Sequence, residues 1–356
     1  MPGSRGSTRI LSKVNQRNQS NSKARLLSRG RILVPHTIRL PVLLSRSTAG
    51  PGAGGHSLFF CIGGSVIRLE VVRDGNAPLR LDERSGRYII LEGKRVVADG
   101  VGLAPAGLHA PGQAFINLHN ECRFRCAFCT LPLQPRPKGP TAARWLSLIS
   151  GAIAGGKAQA VAITTGIPSS PARASRDIAR LVSGLHRRFP DVPIGVEPYT
   201  VDVRDLLALR KAGARELKLN LQCATPALME RVCPGLDRGG ILKALEAGVG
   251  LFGRGRVCSN IILGLGEKDS GVLASVRELA RIGVAVNLRP LRVNALNRGP
   301  LRRALGRVPS PVAPARMLRL ARAQKKIFGE HGLAPSDFLT MCHRCTACDI
   351  EPFRDV

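Results

Sequence analysis

The stretch Asn117–Pro132, NLHNECRFRCAFCTLP, puts Cys122, Cys126 and Cys129 on one short segment with the spacing C-x3-C-x2-C. It continues from Ala114–Leu118, AFINL, a short apolar run that reads as a β-strand. Three thiolates on one loop can hold three irons of a cubane [4Fe–4S] cluster and leave the fourth iron open to a ligand. Clusters that only carry electrons normally have four cysteine ligands. Zinc is the alternative at this loop; it wants a fourth nearby donor, and His119 is the candidate.

Working outward, short apolar strands alternate with helical stretches. Strands are predicted at Ala114–Leu118, Ala160–Thr165, Pro193–Glu197, Glu216–Asn220, Val257–Leu263 and Ala285–Leu288. Helices are predicted between them near Thr141–Ala154, Ala172–Arg188, Val203–Ala212, Arg238–Ala247 and Ser270–Arg281. Repeated βα units predict an α/β chain with a parallel sheet, and six of them a partial TIM-like barrel, (β/α)6, over 112–295. Functional groups then belong at the C-terminal ends of its strands. A further helix, Pro314–Glu330, and a cysteine-rich end make up 310–356.

Upstream, SVIRLEVV, RYIILEG and KRVVADGV are separated by the turn-prone DGN, RSG and EGK, which predicts a small antiparallel β region over 57–103. Residues 1–55 mix Ser, Arg, Asn and Gly, close with AGPGAGG and lack periodicity, so a basic, disordered tail is expected there. No solenoid-type repeat is present.

A second cysteine group, TMCHRCTACDIEPF, places Cys342, Cys345 and Cys348 in a C-x2-C-x2-C run. That spacing resembles the compact ligand runs of iron–sulfur sites and again supplies three ligands where a closed cluster needs four. The fourth can come from Cys233 in RVCPG, from Cys258, from a residue other than Cys, or be left open. His343 inside the run keeps a zinc site as an alternative. Cys61 and Cys223 have no local partners and read as inert buried thiols.

Charge and composition narrow the function classes. Lys and Arg number 54 against 24 Asp and Glu, a net charge of +30. Residues 1–69 hold 11 of the basic residues and no acidic one, so part of the excess belongs to the N-terminal region. Such a field suits an anionic substrate or an acidic partner protein. Aromatic content of 4%, with one Trp and two Tyr, argues against base-stacking platforms, and nucleic acid is not an expected partner. The 44% hydrophobic content excludes disorder throughout, and no run of about 18 apolar residues is available to span a membrane. Close cysteine spacing without a clear secretory signal reads as metal binding in a reducing compartment, and a cytoplasmic location is expected. The acid-free, Arg/Ser-rich start also has the composition of an organellar transit peptide.

On these residues the chain resembles the radical S-adenosylmethionine (SAM) superfamily, whose signature is C-x3-C-x2-C with an aromatic residue before the last Cys, here Phe128. The resemblance covers roughly 112–290. It implies a [4Fe–4S] cluster on Cys122, Cys126 and Cys129 whose open iron is chelated by SAM. Reductive cleavage of SAM then gives a 5′-deoxyadenosyl radical that takes a hydrogen atom from the substrate. ITTGIP stands where the superfamily often carries a Gly-Gly-Glu-like element, which makes Thr164, Thr165 and Gly166 candidate SAM contacts. Glu197 and Asn220, at the next two strand ends, are candidates for the ribose or methionine moiety.

The segment VCSNIILGLGE is similar to the strand-five element of biotin and lipoyl synthases. That similarity implies adenine packing at Gly264, Leu265 and Gly266 and an auxiliary-cluster role for Cys258. The implied function is C–H activation with sulfur insertion from a second iron–sulfur cluster, a transferase reaction. The alternative within enzymes is modification of a peptide or cofactor precursor, with the second cluster in electron transfer or substrate anchoring. From another class, the alternative is a non-catalytic iron–sulfur or zinc protein that binds RNA. Implied partners are a ferredoxin- or flavodoxin-like reductant, and an acidic carrier protein or a second radical SAM subunit.

Overall fold

The computed structural model describes residues 19–46, 55–105, 110–134 and 139–356. Two sheets build it. The first follows a helix over 19–29 (α1) and contains β1 Arg31–Leu33, β2 Ser45–Arg46, β3 His56–Ile62, β4 Ser65–Val72, β5 Leu79–Arg84, β6 Arg87–Glu92 and β7 Arg95–Ala104. Its order is β2-β3-β4-β1-β5-β6-β7, and β3 also pairs with β7, so the sheet closes on itself. Closure removes free edges that would otherwise template association. Ser85 and Gly86, both at positive φ, form the two-residue hairpin between β5 and β6.

The antiparallel region expected over 57–103 is present as β3–β7, but a strand from the expected tail completes it. β1 lies parallel to both β4 and β5, with Ile32 opposite Val71 and Leu79. The disordered tail is therefore corrected for residues 19–46; residues 1–18 and 47–54 lie outside the described residues. Two features hid this element. A three-residue strand is too short to show a period, and α1 carries its buried Ala24, Leu26 and Leu27 among polar residues. One of these, Lys23, is itself buried and paired with Asp355 at 2.6 Å.

The second sheet holds β8 Ala114–Asn117, β9 Val161–Thr164, β10 Ile194–Glu197, β11 Glu216–Lys218, β12 Val257–Leu263 and β13 Val284–Pro290. All adjacent pairs are parallel and the order follows the chain. The intervening helices are α2 Ala142–Ala154, α3 Pro171–Arg188, α4 Val203–Lys211, α5 Pro226–Val232, α6 Arg238–Phe252 and α7 Asp269–Ile282. Six parallel strands alternating with helices are the expected (β/α)6 partial barrel. Helix starts follow local chemistry: Ser170 accepts the Arg173 N–H ahead of α3, and His186, Arg187 and Arg188 suit the negative end of its dipole. β12 is buried along its whole length, as a strand covered on both faces must be.

α8 Arg298–Leu305, α9 Pro314–Glu330 and α10 Met341–Cys345 complete the chain; α5, α8 and α10 are short and were not predicted. α9 packs on α7 and β13, with Arg316 Nε bonded to Asp269 at 2.7 Å and Gln324 Nε2 to the Val286 carbonyl at 2.6 Å. The segment entering α10 docks on the starts of the barrel strands. The buried Glu216 carboxylate accepts the N–H groups of Leu339 and Thr340, and Gln113 exchanges two hydrogen bonds with the Met341 backbone. Gly195 on β10 makes room for this, because a Cβ there would stand 2.1 Å from Thr340 Oγ1. Among the described residues no helix is long and apolar enough to cross a membrane.

Candidate functional site

The residue after β8 begins the loop that carries the first cysteines, and neighbouring strands hold that loop in place. Leu118 N–H reaches the Thr164 carbonyl, Gly166 N–H the His119 carbonyl, and Arg123 N–H the Ile167 carbonyl, so the loops after β8 and β9 are stitched together. A Cβ at Gly166 would lie 2.2 Å from the Glu121 carbonyl oxygen, so only glycine permits that approach. Ala127 N–H bonds the Val232 carbonyl, and Asn297 Nδ2 donates to the Phe128 carbonyl at 3.0 Å. These bonds fix Cys122, Cys126 and Cys129 on one wall of a cavity of about 360 Å³.

The same cavity is lined by Phe128, Thr164, Thr165, Gly166, Glu197 and Asn220, each a sequence-predicted site residue. Asn220 Nδ2 donates to Glu197 Oε1 at 2.5 Å, and Asn220 Oδ1 accepts the Asn260 N–H. Glu197 also pairs with the buried Lys218 Nζ at 3.2 Å, and that ammonium reaches Cys342 Sγ at 3.2 Å. Burial opposes the Lys218 charge, but the Cys342 and Glu197 negative charges outweigh it and hold the amine above the ordinary lysine range. Cys342 itself lines the cavity, so the two cysteine groups, far apart in sequence, meet at one chamber.

The other predicted residues fall elsewhere. Gly264, Leu265 and Gly266 are not among the cavity-lining residues: Glu267 folds back to accept the Gly264 and Leu265 N–H groups, both at 2.8 Å, and pairs with Arg316. Cys233 sits beside Cys126 and Cys223, whose side chains bond to it and raise its thiol, with burial adding to the shift. It therefore neighbours the first cysteine group instead of the second. Cys258, raised by burial, lies near Lys218 and Cys342 on the second group's side. His119 turns its Nε2 to Asp177 Oδ2 on α3 at 3.3 Å.

Around the second group, the Cys345 thiol is pushed up to about 12 by burial and by Cys348. Burial also opposes ionisation of Cys348, but Arg289, Arg68 and Arg292 more than offset it, so that thiol shifts down. His343 is held neutral, lowered to about 3 by burial and by Lys218 and Arg289, with Phe338 stacked at 4.6 Å between centroids.

Several lining residues were not singled out by sequence: Arg46, Arg68, Lys218, Gln222, Asn260 and Arg289. Gln222, at φ +66, is the one with a local oddity, a non-glycine in the left-handed region beside a cavity. Its Oε1 and Asn260 Oδ1 are buried acceptors with no partner among the described residues. Buried polar atoms of that kind are normally satisfied, so a ligand with donor groups suits them. Three half-buried thiols on one wall, orphaned acceptors and an acidic side chain fit a [4Fe–4S] cluster with SAM as its ligand. Among the described residues no three His, Cys, Asp or Glu side chains are gathered for a single metal ion, whereas a cubane cluster spreads its ligands over separate corners.

Residues 116–279 match the model of the Radical SAM superfamily. No curated protein matches the chain. Among solved structures, methylornithine synthase is 19% identical over 59% of this chain and 61% of its own, with a TM-score of 0.49. The FeFe-hydrogenase maturase from Carboxydothermus hydrogenoformans is 15% identical over 61% and 52%, with a TM-score of 0.48. A radical SAM methyltransferase from Sphaerobacter thermophilus is 19% identical over 83% and 77%, with a TM-score of 0.42. The chain spans 61% of the first of these and 52% of the second, less than two thirds of either. The residues matched by the family model hold the cysteine triplet and four complete strands of the six-stranded parallel sheet, β9 to β12.

Proposed function

We propose that this chain is a radical SAM enzyme that activates a substrate C–H bond between its two cysteine groups and inserts sulfur supplied by a second iron–sulfur cluster on Cys342, Cys345 and Cys348. The observation that carries this reading is the single cavity lined by Cys122, Cys126 and Cys129 and also by Cys342. In the superfamily, the cluster and SAM together supply a 5′-deoxyadenosyl radical that removes a hydrogen atom from the substrate.

The chain's own residues prepare the chamber. Burial raises the Cys122 thiol above its ordinary range, and the backbone N–H groups of Ile167 and Phe124 offset only part of that shift. Glu197 and Asn220 form a preset hydrogen-bonded pair that can meet the hydroxyl and amino groups of SAM. Phe124, packed edge-on to Tyr199 at 4.9 Å, joins Leu131 and Trp145 in giving the cavity apolar walls that exclude water from a reactive radical. Lys218 Nζ donates to Cys342 Sγ at 3.2 Å and to Glu197, which ties the second cysteine group to the acidic side chain of the chamber.

A second reading within the superfamily, in which the auxiliary cluster transfers electrons or anchors substrate, is favoured by the fact that Cys345 and Cys348 do not line the cavity. Counting iron and acid-labile sulfide after anaerobic reconstitution separates the outcomes, comparing the intact chain with a variant whose Cys342, Cys345 and Cys348 are all Ala. About eight irons falling to about four is expected, with 5′-deoxyadenosine formed from SAM by the intact protein. About four in both sinks sulfur insertion, and loss of sulfide from the second site on turnover distinguishes donation from electron transfer.

A further inference from the structure

We propose that Arg68 is the anchor for an anionic group on the substrate, a carboxylate or a phosphate, so that the N-terminal β-barrel takes part in substrate recognition. The inference rests on reading the shared cavity as the reaction chamber. Arg68 projects from β4 into that cavity, is 4% exposed, and its Nε and Nη2 have no hydrogen-bond partner among the described residues.

The other buried cations of the chamber are accounted for. Lys218 has Glu197 and Cys342, and Arg289 has Asp349 at 3.3 Å. Arg68 has no such carboxylate; its charge faces the Cys348 thiol, but its Nε and Nη2 donors are left without acceptors among the described residues, and buried donors of that kind are normally satisfied, which suits an anion that arrives in the cavity. The surroundings point the same way. Arg292 donates from Nη2 to the Arg68 carbonyl at 2.6 Å and is itself lowered to about 10 by burial, with Arg68 and Arg289 adding to the effect. Arg46, on β2 of the same barrel, also lines the cavity and extends the positive lining.

Asn297 Nδ2 donates to both the Arg292 carbonyl and the Phe128 carbonyl, so the residues that hold Arg68 and the first cysteine loop are tied together. A substrate held by its anionic end at Arg68 lies in the same cavity that Cys122, Cys126 and Cys129 line. The planar fork of a guanidinium suits a two-oxygen acceptor, which carboxylate and phosphate share.

The test uses the full chain after anaerobic reconstitution and two probes, inorganic phosphate and hexanoate, titrated calorimetrically. The intact protein is expected to bind one of them, and which one identifies the substrate's anionic group. Arg68→Gln is expected to weaken that binding at least roughly tenfold, as loss of charged hydrogen bonds does. Arg298→Gln, at an exposed position on α8, is expected to leave it unchanged. Arg68→Lys retains the charge in case the Gln variant folds poorly, and it should bind several-fold more weakly for want of the fork. Binding of neither probe by the intact protein, or equal binding by the Arg68 variants, overturns the inference. So does loss of iron from the second cysteine group in Arg68→Gln with probe binding intact, which would assign Arg68 to the thiolates. Formation of 5′-deoxyadenosine by the intact protein, measured in parallel, tests the chamber reading separately.

Discussion

Lys218 shows how far a single side chain can be from legible in sequence. It is one of 54 basic residues, yet it is buried at the end of β11 between Glu197 and Cys342. Replacing it with Met leaves the Glu197 carboxylate without its ion-pair partner, and a stability loss of about 3 kcal/mol is expected in urea unfolding. Adding Glu197→Gln should return part of that loss; a double variant no more stable than the single one refutes the pairing. The cysteine triplet is the opposite case, because its chemistry depends only on local spacing. Alanine at Cys122, Cys126 or Cys129 should abolish 5′-deoxyadenosine formation from SAM, while Cys61→Ala, in the N-terminal barrel, should retain it. Arg68 and Arg289 resemble Lys218: nothing in their neighbouring residues marks them, and only the pairing of distant strands brings them to the cavity.

Elements were readable where a period runs long enough to be seen. β12 spans its predicted residues, and α9 matches Pro314–Glu330. The glycine-rich end of β12, expected to pack on a cofactor, is instead a turn whose Gly264 and Leu265 N–H groups are taken by Glu267, and that carboxylate pairs with Arg316 instead of facing the chamber. The docking of α10 was not readable, since Gly195 looks like any glycine in a strand. Gly195→Ala should push Thr340 off Glu216 and cost about 1–3 kcal/mol, measured by thermal or urea unfolding, as overpacking does. An unchanged midpoint would show that the segment yields without cost.

The contact of α9 with α7 should respond to acid. Burial would raise the Asp269 carboxyl, but Arg316 and Arg319 outweigh it and lower the group. A carboxylate lowered in the folded state contributes stability above its unfolded value, about 3.9, and that contribution is lost as pH falls through the lower folded value. Asp269→Asn should therefore have a lower melting temperature than the parent at neutral pH, with the gap closing in acid. A gap that does not change with pH removes the ion pair as its cause.

At the scale of the whole molecule, α1 and the C-terminal segment clasp each other across the N-terminal barrel. Lys23 Nζ donates to Asp355 and to the Thr346 carbonyl, and Asp355 accepts from Ser65 at 2.9 Å. Lys23→Met should cost about 3–5 kcal/mol by stranding Asp355, whereas Lys23→Met with Asp355→Leu should cost much less. Equal losses in the two variants would mean that packing, not charge, holds the clasp. Periodicity in the sequence marked the barrel's elements but not this clasp, whose partners pair across 332 positions.

That separation has a consequence in time. Contacts so distant in sequence form late, because loop closure must be met before they stabilise anything. The segment that carries Cys342 and is pinned by Lys23 therefore docks after β8–β13 have paired, so the floor of the cavity closes later than its walls.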